Sequence, residues 1–220
     1  MTSSKTGNSK FLKAYNETSI LDLIRVEKRL SRADISKLTG LSPTAAGAIV
    51  SSLIDKGYIC ETGTGESSGG RKPVLLELRP DSYYSVGIDV DVGGILFILM
   101  DITGKVVHKK TSALSGNTPE DAVLAAMDGI EDIMRKYSIE ENRLLGIGLS
   151  VPGMVDAVSH RIVLAPNLGW EDVDFCGILK KRTGLPVYIE NEAMASAICE
   201  NWIGACRNDS DFVCVNIKSG

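Results

Sequence analysis

Between Asn16 and Lys28 apolar residues recur at Ile20, Leu21, Leu23, Ile24 and, more weakly, Val26, with Asn16 and Thr18 as alternative caps. That spacing predicts a helix of about three turns with one buried face. Ser31 precedes Arg32-Ala33-Asp34, and Ile35 with Leu38 describes a second short helix that Gly40 stops. A third helix starts at Ser42, an N-cap followed by Pro43 at the first helical position, where a missing N–H costs nothing. Its apolar stripe is Ala46, Ile49, Val50, Leu53 and Ile54, and Gly57 ends it. Tyr58 to Glu61 and Val74 to Leu78 then read as short strands, joined by a Gly/Ser-rich flexible loop from Gly63 to Gly70. Three helices followed by a hairpin is the order of a winged helix-turn-helix.

After Pro80 the pattern changes. Tyr84–Val90, Ile95–Asp101 and Lys105–Thr111 read as strands in quick succession, with Asp101-Ile102-Thr103-Gly104 as a hairpin turn. Thr118–Tyr137 carries Ala122, Val123, Ala126, Met127, Ile130, Ile133 and Met134 at helical spacing. Strands are expected at Leu144–Ser150, Val187–Glu190 and Phe212–Asn216, and helices at Asp172–Thr183 and Glu192–Ile203. This order describes an antiparallel meander extended by parallel strands through crossover helices. The domains expected are residues 1–80 and 81–220.

On the third helix, the side opposite the apolar stripe presents Thr44, Ala45, Gly47, Ala48, Ser51 and Ser52. Small residues there suit close entry into a major groove, with Ser42, Thr44 and Ser51 as hydrogen-bonding groups and Ala45 or Ala48 against a thymine methyl. A generic small-residue surface has the same composition. Arg71 and Lys72, after Gly69-Gly70, lie at the base of the wing, where cations reach phosphates; a solvated turn is the alternative.

Ligands in open α/β sheets sit at the carboxyl ends of the strands. Asp89 and Asp91, Ser150-Val151-Pro152-Gly153 and Glu190-Asn191-Glu192 fall at such ends, and Ala165-Pro166-Asn167-Leu168-Gly169-Trp170 is a loop with an amide and an aromatic ring. Converging amides and carboxylates satisfy sugar hydroxyls. Capping by Asp89 and core anchoring by Trp170 fit the same residues.

The net charge of −4 over 220 residues speaks against nucleic acid until the chain is split. Residues 1–80 hold 12 Lys and Arg against 8 Asp and Glu, and residues 81–220 hold 12 against 20. Such asymmetry fits a front part that meets phosphates and a rear part that does not. The start lacks the apolar run of a signal peptide and no later stretch reaches membrane-spanning length, so a cytoplasmic protein without a membrane partner is expected. Five cysteines without a CxxC pair read as reduced thiols, and with two histidines no metal or cofactor site is visible.

Leu41-Ser42-Pro43-Thr44 through Gly57, Ser68-Gly69-Gly70-Arg71-Lys72-Pro73, Gly87-Ile88-Asp89, Val151-Pro152-Gly153, Ala165 to Trp170 and Glu190-Asn191-Glu192-Ala193 together resemble the ROK family of bacterial repressors, open reading frames and sugar kinases, in its xylose-repressor-like branch. The resemblance covers essentially the whole chain. It implies a winged helix-turn-helix followed by part of an α/β actin-like, ribonuclease-H-like sugar kinase domain. It also implies double-stranded operator DNA, a small neutral sugar and a homodimer or higher oligomer as partners. Pro152, Gly153, Asn167, Asn191 and Glu192 are carried over as ligand residues.

Two departures bear on chemistry. The kinases' phosphate loop has the form DxGxT, whereas Asp89-Val90-Asp91-Val92-Gly93 puts a carboxylate where Gly belongs and Gly where Thr belongs. The kinases' catalytic Asp is matched by Glu192, whose extra methylene misplaces the carboxylate for proton abstraction. No catalytic residue is therefore assigned, and a regulator is expected over an active kinase or a protein-interaction module. The family continues past a point matching Asn216-Ile217-Lys218-Ser219-Gly220. A His-containing sugar motif and a cysteine-rich zinc site are implied downstream.

Overall fold

The computed structural model describes residues 4–65, 72–156, 158–207 and 209–216 and falls into two units, Met1–Ser82 and Tyr83–Gly220. In the first, α1 (Ser4–Glu27) buries Ile20 and Ile24 completely. It begins twelve residues before the expected Asn16. With no proline to stop it, a helix nucleated by its buried turns propagates at little cost per residue, and Phe11, Leu12 and Tyr15 remain exposed on that extension.

The chain leaves α1 at Lys28 with φ 69° and enters β1 (Leu30–Ser31), too short for its pattern to be read from sequence. Ser31 then caps α2 (Arg32–Thr39) in a reciprocal box: its Oγ accepts the Asp34 N–H at 3.2 Å and its own N–H donates to Asp34 Oδ2 at 2.9 Å. Gly40 at φ 70° ends α2, and Ser42 starts α3 (Pro43–Asp55), its Oγ accepting the Ala45 N–H at 3.2 Å. Ala46, Val50 and Leu53 are buried, while Leu38 on α2 is exposed. β2 (Ile59–Thr64) and β3 (Val74–Leu78) complete the sheet in the order β1-β3-β2. β2 continues through Gly63, so the hairpin loop starts later than its composition suggests.

The second unit is built on a five-stranded sheet in the order β11-β7-β4-β5-β6. β4 (Tyr84–Asp91), β5 (Gly94–Asp101) and β6 (Val106–Ser112) form the expected antiparallel meander. Strict alternation in β4 buries Tyr84, Val86, Ile88 and Val90 on one face. Against that face packs α4 (Pro119–Tyr137), capped by Thr118 and Asp121. The close approach needs Gly129, because a Cβ there would lie 2.2 Å from the ring of the buried Phe97.

β7 (Leu144–Val151) adds parallel to β4. Then comes a small sheet that the sequence pattern did not reveal: β8 (Met154–Asp156), β9 (Arg161–Ala165) and β10 (Trp170–Val173). α5 (Phe175–Thr183) accordingly starts later than the expected Asp172, because Trp170 and Glu171 pair with β9 and the cap is Asp174. β11 (Val187–Asn191) joins β7 in parallel and leads directly into α6 (Glu192–Trp202). The strand expected at Phe212–Asn216 is not formed: the segment runs unpaired, with Val213 and Val215 exposed.

Candidate nucleic-acid interface and ligand site

The cap at Ser42 and the buried stripe of α3 fix which way the helix faces. Thr44, Ala48 and Ser51, spaced four and three residues apart, fall on its solvent side and are exposed. Ala45 is half-buried at the margin of this stripe, and Ser42 is exposed. The hydroxyls of Thr44 and Ser51 make no hydrogen bond among the described residues, so the fold does not spend them. Ser52 behaves differently: with Lys56 it holds Glu17 of α1, at 3.4 and 2.7 Å. The Lys56 ammonium, followed by burial acting the other way, keeps the Glu17 carboxyl below its usual value.

Lys72 is exposed at the foot of the hairpin, where the Gly65 N–H closes on the Pro73 carbonyl at 2.8 Å. Arg71 lies outside the described residues. Several front-unit cations are already engaged with the fold's own acids: Arg29 with Glu77, Arg32 with Glu61 and Lys56 with Glu17. Each pair takes one cation and one acid, so the positive excess of the front part is carried by the cations outside these pairs.

In the second unit, Gly153 and Asn191 are joined by a hydrogen bond, and Glu192 follows Asn191 in the chain. Asn191 ends β11 and caps α6, its Oδ1 accepting the Ala193 N–H at 2.8 Å, while its Nδ2 donates to the Gly153 carbonyl at 2.6 Å. Gly153 sits at φ 102°, and a Cβ would be 2.3 Å from the Leu164 carbonyl oxygen. Pro152 is buried beside it and Glu192 is half-buried in the first turn of α6. Asn167 is exposed in the turn between β9 and β10 and is not tied to this cluster. Trp170 is a core residue, buried, with its Nε1 donating to the Asn117 carbonyl at 2.7 Å.

The structural use of Asn191 escaped the sequence reading, although an Asn directly before a helix is a cap signal. A separate recess of about 370 Å³ lies between the sheet and α6, lined by Leu96, Ile98, Ile189 and Ile198 with Asp89 and Glu190. None of the five expected ligand residues lines it.

At the β4–β5 corner, Asp91 pairs with Gly94 across a two-residue turn, Val92-Gly93. The Asp91 carboxylate accepts the Val92 N–H at 2.8 Å. A backbone donor at this corner is thus already bound to a negative group.

Cys60, Cys176, Cys199, Cys206 and Cys214 are free. Burial, then Asp174, pushes the Cys176 thiol up to about 12, which keeps it an unreactive packing group. Among the described residues no group of three or more His, Cys, Asp or Glu is placed to hold a metal, and no helix is long and apolar enough to cross a membrane.

A capped helix-turn-helix backed by a three-stranded wing defines a winged helix-turn-helix DNA-binding fold, and residues 15–59 match the model for that class. The chain belongs to the ROK family, whose model matches residues 85–220. The xylose repressor of Caldicellulosiruptor bescii is 36% identical over 215 residues, which is 97% of this chain and 54% of that protein. The chain spans about half the length of the curated relatives it matches.

A crystal structure of a ROK family transcriptional regulator, described as a homologue of the Escherichia coli MLC protein, superposes with a TM-score of 0.73 at 25% identity, over 87% of this chain and 49% of that one. A ROK glucokinase from Streptomyces griseus, solved with glucose and AMPPNP, gives 0.51 at 25% identity over 57% and 38%. The family thus holds regulators and kinases alike.

Proposed function

We propose that this protein is a sugar-responsive transcriptional repressor that acts in the cytoplasm as a homodimer or higher oligomer. It reads double-stranded operator DNA through α3 and the foot of the wing. The observation that carries this reading is the exposed stripe Thr44, Ala48 and Ser51 on a helix whose other face is buried. Two unspent hydroxyls and a methyl are what base edges require. Ser42 and Ala45 border that stripe, and Arg71 and Lys72 supply phosphate contacts from the wing.

The rear unit is, on this reading, an effector domain without catalysis. Pro152 and Gly153 shape the pocket, and Asn167, Asn191 and Glu192 meet the hydroxyls of a neutral sugar. Asp91 argues against phosphate transfer here, because its charge and its hold on the Val92 N–H oppose a polyphosphate at that corner.

The test is salt-dependent gel retardation by the full-length protein on the promoter beside its own gene, with and without xylose and glucose. A sequence-specific shift that one sugar alters is expected, with Lys72→Ala lowering the salt slope by about one. Absence of any sequence-specific shift would sink the repressor reading. Robust ATP-dependent phosphorylation of a sugar would overturn the non-catalytic one.

A further inference from the structure

β6 is the free edge of the large sheet, and beside it positive charge accumulates that neither proposed activity uses. Lys109 and Lys110 of β6 and Arg135 and Lys136 of α4 converge with His108 on a recess of about 440 Å³. The acidic residue in its wall is Asp132. That carboxylate is shared, binding Lys110 through one oxygen at 3.1 Å and Arg135 through the other. Four cations therefore face one anion, in a stretch of chain (residues 81–220) where acids outnumber bases 20 to 12.

Lysines on an exposed edge strand discourage pairing with other chains, which accounts for Lys109. It does not account for Arg135 and Lys136, which stand on a helix and close the recess from the other side. The charges surround a hollow instead of running along the strand, so they suit a compact anion better than an extended acidic peptide.

We propose that this recess binds a compact, multiply charged oxyanion of the phosphate class, inorganic or a phosphomonoester. The tetrahedral oxygens accept from lysine ammonium groups and from the planar fork of Arg135. His108 provides the internal gauge. Its ring lies 5.4 Å from that of Tyr137, over which Lys136 also sits at 5.5 Å. Burial, then Lys136 and Lys110, holds the imidazole below its usual value. A bound dianion reverses that repulsion, so protonation of His108 and anion binding favour each other.

Residues 1–220 hold two histidines, His108 and His160, and His108→Gln and His160→Gln variants assign their NMR signals in the full-length protein. The experiment titrates them with pH in sulfate, in inorganic phosphate, in glucose 6-phosphate and in chloride at matched ionic strength. The expected result is a saturable rise of the His108 midpoint by about half a pH unit or more in the oxyanions, with His160 unmoved. Chloride should give a clearly smaller shift. Lys136→Met and Lys110→Met should each raise the half-saturating concentration by about threefold or more. Tighter saturation by glucose 6-phosphate than by phosphate assigns the ester, and equal or weaker saturation assigns the inorganic ion. An equal shift in chloride, a shift that never saturates, or saturation indifferent to both variants would overturn the proposal. Binding of an acidic peptide along β6 without an oxyanion effect would overturn it too.

Discussion

Thr44 and Ser51 on α3 and Asn191 at the head of α6 are all small polar residues at helix surfaces, yet the two units use them in opposite ways. The Thr44 and Ser51 hydroxyls bond to nothing among the described residues, whereas Asn191 spends its amide on the Ala193 N–H and the Gly153 carbonyl. Apart from the cap Ser42, which serves both, the front unit separates recognition from stability: a small core fixes α3, and Thr44, Ala48 and Ser51 ride on it. The rear unit merges them, since residues expected to meet a ligand also position one another. Substitutions should therefore dissociate binding from folding in front and couple them behind.

The largest effect expected is on DNA. Ala48→Glu places a carboxylate on the exposed stripe, facing bases and phosphates, and should lower operator affinity by at least about a hundredfold, roughly 3 kcal/mol. Its thermal unfolding should match the parent within a few degrees, as measured by circular dichroism. A loss of fold would erase the contrast.

Next comes Gly153→Ala, where the positive φ and the Leu164 carbonyl leave no place for a Cβ. It should cost the rear unit about 2–3 kcal/mol. Both tryptophans, Trp170 and Trp202, belong to that unit, so fluorescence melting follows it separately and should shift while operator contacts by α3 persist.

Asn191→Ala, at about 1–2 kcal/mol, removes a cap and leaves the Gly153 carbonyl unpaired. Asn191→Ser keeps a cap and loses the amide donor to the Gly153 carbonyl, so its fluorescence melt should fall between parent and Ala. Equal melts for all three would show that the amide is not structural.

The smallest effect is on acid stability. Asp34 is held below its usual value by the Ser31 hydroxyl and then the Ser31 backbone N–H, and Glu17 chiefly by Lys56. Both folded values lie below the unfolded ones. Their contribution is thus complete above the ordinary carboxylate range and is lost as pH falls through the folded values. Far-UV melts should weaken below about pH 4, and Asp34→Ala should flatten that dependence.

Legibility followed the same division. Ser42, Pro43 and the stripe Ala46, Val50, Leu53 located α3 from sequence because caps and periodicity are local. The β4-β5-β6 meander was readable for the same reason, because its strands follow one another directly in the chain and are joined by local turns. What escaped reading was set by distant partners. β1 is two residues long and exists because Leu30 and Ser31 pair with Leu76 and Leu75. β8 to β10 make a sheet only by pairing with one another, and they moved the start of α5 to Phe175, behind the cap Asp174. Pro152, Gly153, Asn167, Asn191 and Glu192 came as candidates only through the family resemblance, and the hydrogen bond that makes Asn191 a fastening was not legible at all.

The bare flank of Gly129 against Phe97 has a mechanical meaning. Sliding α4 along the sheet by a turn would drive Ala126 or Ile133 into the ring, and rotating it would bring in a neighbouring side chain. The helix has one seat, keyed by a missing carbon. Any rearrangement of this unit must then carry α4 and the sheet as a single plate.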